Sequence, residues 1–128
     1  MKTTKVHMDS LHFDHRLWNN QLKFYKDELQ IFTTRLAEVS AANTDPVVKA
    51  RVEQFQNRFI LQQSAIDGII KHIASHEAHL ADAAKQNPVA SDHMLFTNHH
   101  DMQNDVKTTT EIHENLKTEF TRFLADNL

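Results

Sequence analysis

The chain has 128 residues, 40% of them hydrophobic, no cysteine and a formal net charge of -3 at pH 7. That length suits one domain with one continuous core. The missing cysteines exclude disulfides, thiolate catalysis and Cys-ligated zinc or iron-sulfur sites. No block of Lys and Arg stands free of neighbouring acids, which argues against nucleic acid as a partner.

Gly68 is the single glycine, and Pro46 and Pro88 are the two prolines, so the punctuation that strands and hairpins require is missing. The start, MKTTKVHMDS, has lysines but no apolar stretch behind them, and no later run is apolar enough to span a bilayer. A soluble cytoplasmic protein without a membrane partner is the expectation. Ten histidines are the compositional anomaly, and they are scattered through the chain instead of forming a terminal tag.

The first helix is expected over about residues 8-40. Its apolar repeat is Met8, Leu11, His15, Trp18, Leu22, Tyr25, Leu29, Phe32, Leu36 and Val39, in steps of three and four that place one seam on one face. Asp9 or Ser10 is the expected cap. Asp45 before Pro46 is a good cap and first-turn pair for a second helix over 46-85. Its seam runs Val48, Val52, Phe55, Phe59, Gln62, Ile66, Ile69, Ile73, His76, Leu80 and Ala83. Asn87 and Pro88 interrupt it, and Ser91 or Asp92 is expected to cap a third helix over 91-126. There the seam is Leu95, His99, Met102, Val106, Thr109, His113, Leu116, Phe120 and Phe123.

Three long helices with short connections imply an all-α, antiparallel up-down-up three-helix bundle with coiled-coil-like seams, occupying residues 1-128 as one domain. With Trp18 on the first seam, the arrangement resembles spectrin repeats, a likeness of architecture that implies no function. Hemerythrins and ferritins are a second comparison. The chain departs from them in lacking a fourth helix and any Glu-x-x-His pair.

If the turns lie near residue 43 and near 87 or 88, His15 faces the level of His72 and His76 faces His99, with the two levels about one helical turn apart. The seam histidines of all three helices then gather at one end of the bundle. His12, His72, His79 and His100 flank them, and the pairs His12/His15, His76/His79 and His72/His76 have the spacings at which one helix chelates an ion. The candidate metal ligands are therefore His12, His15, His72, His76, His79, His99 and His100. The expected ion is Zn, Cu, Ni or Fe, with Glu77, Asp14 or Asp101 as oxygen ligand or supporting partner. A b-type haem between two of the histidines ranks below a bare ion, because it needs an apolar slot where Leu11, Trp18, Ile73 and Leu95 are expected to pack. A deeper polar layer of Tyr25, Gln62 and His113 is expected to be structural.

Leu17, Phe24 and Ile31 recur every seven residues on the first helix, away from the seam, with Phe13 nearby. A solvated face is expected there, so the stripe points to a homodimer or a helical protein partner. No nucleophile, phosphate loop or reactive serine setting is evident, and no catalytic residue is assigned. Two functions follow: a metal-binding bundle, or a non-catalytic interaction and dimerisation module whose histidines form a polar, pH-sensitive core layer.

Overall fold

The computed structural model describes the backbone of residues 2-86 and 88-128, and the side chains of these residues other than 2-8, 83, 84, 86 and 88-97. Three helices carry the fold: α1 (Lys2–Ala42), α2 (Pro46–Gln86) and α3 (Pro88–Asn127). Each packs on the other two, as a three-helix bundle requires. At 1.5 Å per residue each is roughly 60 Å long.

Both expected N-termini in the flanking helices move outward. Asp9 and Ser10 lie inside α1, because residues 2-7 contain no glycine or proline to stop a helix. Ser91 and Asp92 lie inside α3, which opens at Pro88. A proline lacks the N–H that the first helical turn leaves unpaired, so the residue that cannot continue α2 is well suited to begin α3. Asn87 and the side chains of Met8, Ala83 and Leu95 lie outside the described residues.

The α1–α2 connection is built as the sequence implies. Asp45 caps α2, its Oδ1 accepting the Val47 amide at 2.9 Å. Asn43 closes α1 through its Nδ2, which donates to the Val39 carbonyl at 2.9 Å and to that of Asn127 at 3.2 Å, tying the turn to the end of α3.

Among the described residues, every buried side chain is a seam residue. The lower core is aromatic: the Phe59 and Phe120 rings meet edge to face at 5.0 Å, and Phe55 lies 5.0 Å from Phe123. Arg51 spreads its guanidinium over Phe55 and Phe123, covering the cluster from solvent.

A polar layer interrupts this core, differently composed from the expected Tyr25-Gln62-His113 triad. The Tyr25 ring stacks on that of His113 at 4.0 Å, and its hydroxyl accepts from Gln21 at 2.9 Å. His113 Nε2 donates to Glu28 at 3.1 Å, and Lys117 donates to the second Glu28 oxygen at 2.5 Å. Burial alone would raise the Glu28 pKa, but the bonds from Lys117 and His113 outweigh it and hold the carboxyl below its ordinary value. Gln62 sits apart, donating to the Thr109 carbonyl at 3.2 Å. Its partner is an α3 backbone oxygen because α2 stands about one turn from the expected register against α1.

Gln62 is therefore a buried amide with one long bond to an oxygen that already serves the helix. Gln62→Leu should keep the topology and raise unfolding stability by about 1 kcal/mol, since exchanging a weakly paired buried polar group for an apolar one of similar shape is neutral or favourable. Urea unfolding of the two proteins measures it.

Candidate metal centre

About three turns in from the α2–α3 connection, each helix contributes one buried seam histidine to a common point. These are His15, His76 and His99, each offering a ring nitrogen, and the three nitrogens lie within 4.8 Å of one another. The rings pack closely, with centroids of His15 at 5.2 Å from His76 and 5.1 Å from His99. His76 faces His99 as expected, whereas His15 meets His76 and not the level of His72. The reason is the one-turn register of α2 against α1, seen again where Phe32 meets Phe59 and Lys26 pairs with Asp67; it brings the seam residue His76 to His15 and leaves His72 off the seam and exposed.

Each ring's polarity is set by what lies behind it. His15 Nδ1 is bonded to Glu77 Oε1, while His12 Nδ1 contacts Glu77 Oε2 at 2.7 Å, so one α2 carboxylate holds two α1 imidazoles. His99 Nε2 is bonded to Asp14 Oδ2 at 3.1 Å. The remaining nitrogens of these two rings, His15 Nε2 and His99 Nδ1, face each other at 3.2 Å. His76 Nε2 is buried with no partner among the described residues.

A neutral imidazole carries one N–H. If His15 donates its proton to Glu77 and His99 donates its proton to Asp14, both nitrogens across the 3.2 Å gap are bare lone pairs. Two lone pairs do not bond, and the orphaned His76 Nε2 adds a third acceptor of positive charge. The arrangement could hold a cation at its centre, and carboxylates orienting imidazoles from behind are the usual support of a histidine-ligated metal.

Protonating His76 and His99 is disfavoured. Burial, then the charges of His15, His99 and His72, lower the His76 pKa to about 4. Burial also lowers that of His99, against the opposing bond from Asp14. For Glu77, burial would raise the pKa, but the bonds from His15 and His12 prevail and keep it below the ordinary carboxylate value.

The chain matches no known family model, no curated protein and no solved structure.

Of the seven candidate histidines, the structure brings His15, His76 and His99 together and sets His12 beside them through Glu77. His72, His79 and His100 are exposed. Of the three acids singled out, Asp14 and Glu77 back the triad, and Asp101 is exposed. Trp18 takes a part its seam position alone did not reveal: its indole stacks on His99 at 4.8 Å and 25°, and is tilted against His15 at 5.5 Å. Glu28 is the polar residue that seam spacing missed. It occupies a flanking position, and its partners on α3 emerge only once α1 and α3 are set side by side.

The buried neutral histidines also make stability depend on pH. For His76 the folded value is about 4 against 6.5 for an ordinary histidine, so between those values the unfolded chain binds a proton that the folded chain refuses. The stability contribution is thus complete above about pH 6.5 and is lost as pH falls. At 1.36 kcal/mol per pH unit the His76 share is roughly 3 kcal/mol. Chelator-treated protein unfolded in urea at pH 7.5 and 4.5 should show a loss of at least this size, reduced in His76→Leu.

Proposed function

We propose that the protein binds a divalent transition-metal ion through His15, His76 and His99, with Zn(II) the best fit among Zn, Cu, Ni and Fe. The observation that carries this reading is the 3.2 Å separation of His15 Nε2 and His99 Nδ1, each held from behind by a carboxylate. With metal–imidazole bonds of about 2.0–2.1 Å, two ligands of a tetrahedral ion stand about 3.3 Å apart. His76 closes the third position by moving its nitrogen inward from within 4.8 Å.

The same distance speaks against haem. Ligands on opposite faces of a haem iron need about twice one metal–nitrogen bond, roughly 4 Å, and the Trp18 ring lies directly on His99. Cu(II) and Ni(II) in tetragonal sites want adjacent nitrogens nearer 2.9 Å. Hard cations such as Mg(II) and Ca(II) find no inward oxygen among the triad's own atoms.

Three protein ligands leave one position of a tetrahedral ion for water or another small ligand. When bound, the ion would supply a polarising centre there. The chain's own residues do the rest: Asp14 and Glu77 orient the rings of His99 and His15, and burial in the packed seam disfavours protonation of His76 and His99.

Untagged protein dialysed against Zn(II) should retain one equivalent and melt higher. At a free concentration of one hundred times Kd the gain is about 2.7 kcal/mol, or on the order of ten degrees for a domain of this size. His99→Ala should abolish the gain, whereas a His72→Ala/His79→Ala/His100→Ala triple variant should keep it. Trp18 is the sole tryptophan, so Cu(II) at this site should quench the protein's indole fluorescence. No retained zinc and no shift in melting temperature would overturn the reading.

A further inference from the structure

The outer face of α1 carries the stripe that the sequence singled out, and the structure leaves it open. Phe13, Leu17, Phe24 and Ile31 are 60%, 51%, 56% and 61% exposed. Leu17, Phe24 and Ile31 stand one heptad apart, on the same line of the helix, while the seam residues Leu22, Tyr25 and Leu29 face the core. We infer that this face binds a second copy of the chain, α1 against α1 in antiparallel sense, with Phe24 on the two-fold axis.

Three observations select that occupant. The first is spacing. A seven-residue repeat centred on Phe24 maps onto itself when the helix is reversed, so Phe24 meets Phe24 of the second copy and Leu17 meets its Ile31 twice over. An isologous contact of this kind uses one patch on both subunits.

The second is charge. In the antiparallel register Lys23 lies beside Asp27 of the second copy, and by symmetry the pair forms twice. Neither residue has an ion-pair partner within the described part of its own chain. Parallel helices in register would instead set Asp27 at the level of Asp27 of the second copy, a like-charge contact beside the apolar line. The stripe ends at Glu38 on its C-terminal side, where Arg35 already pairs with it at 2.6 Å.

The third is area. Half-exposed Phe, Leu and Ile side chains each present roughly 100 Å², so eight of them bury about 800 Å² of apolar surface. That is close to the apolar half of a standard interface of about 1,600 Å². The dimer gives α1 a third helical neighbour beside α2 and α3, which the bundle does not supply itself.

The metal reading and this one are independent, and the test is run in chelator so that exposed histidines cannot bridge two chains. Sedimentation equilibrium of the full chain should show a dimer at tens of micromolar, and Phe24→Glu should raise the dissociation constant more than a hundredfold with unchanged helical content. Lys23→Asp and Asp27→Lys should each weaken association roughly tenfold, and the double swap should restore it.

Because the chain has no cysteine, Phe24→Cys supplies the only thiol. It should oxidise readily to a disulfide-linked dimer, whereas Leu17→Cys alone should not, its counterpart lying about 20 Å away along the antiparallel pair. Mixing Leu17→Cys with Ile31→Cys chains should give the mixed dimer. A wild-type chain that stays monomeric at several hundred micromolar, or a Phe24→Glu dimer as tight as the parent, overturns the proposal. Cross-linking of Leu17→Cys as fast as Phe24→Cys overturns the antiparallel arrangement.

Discussion

An imidazole cannot be buried cheaply unless both of its nitrogens are accounted for. In the seam this condition is met at His15 and His99, whose second nitrogens find fixed partners on flanking carboxylates. Asp14 behind His99 and Glu77 behind His15 meet that need from flanking positions, where the carboxylates stay partly hydrated. The layer is consequently polar on its axis and charged at its rim, while the aromatic layers of Phe55, Phe59 and Phe120 farther along are dry throughout. One bundle thus carries two kinds of core, an aromatic one and a polar one built of imidazoles that could hold a metal ion.

The seams were legible in the sequence to the residue. Alternating steps of three and four leave little choice about which side chains face inward, and every buried residue in the described part of the chain lies on them. That His15, His76 and His99 share a level was also legible, within a turn, because short connections constrain the register of antiparallel neighbours. The exact counterpart of His15 was not, since turn-counting treats a flanking residue such as His72 and a seam residue such as His76 alike. Only packing distinguishes them.

Flanking contacts were the least readable part. Glu28 is one acid among several on the polar surface of α1, and nothing local marks it as the partner of both His113 and Lys117. Those bonds depend on how far α1 and α3 are rotated toward each other, which the period of the apolar residues does not specify. The helix starts show a related limit: residues 2-7 have no apolar period to reveal them, yet nothing in their composition stops the helix. Apolar periodicity reports burial, and an exposed helical turn leaves no such trace.

The hydrogen bonds and ion pairs of the triad layer have one more property. His12 and His15 reach Glu77 on α2, while Asp14 and His15 reach His99 on α3, so each of these links has one end on α1. The clamp of Glu28 on His113 and Lys117 repeats the pattern lower down. In mechanical language α1 is the keystone: α2 and α3 alone retain two of the three inward histidines and Glu77, but lack both the His15 ring that Glu77 aims and the Asp14 carboxylate that aims His99. The triad is therefore complete only where α1 is seated, and an ion held there would tie the seating of α1 to its own binding.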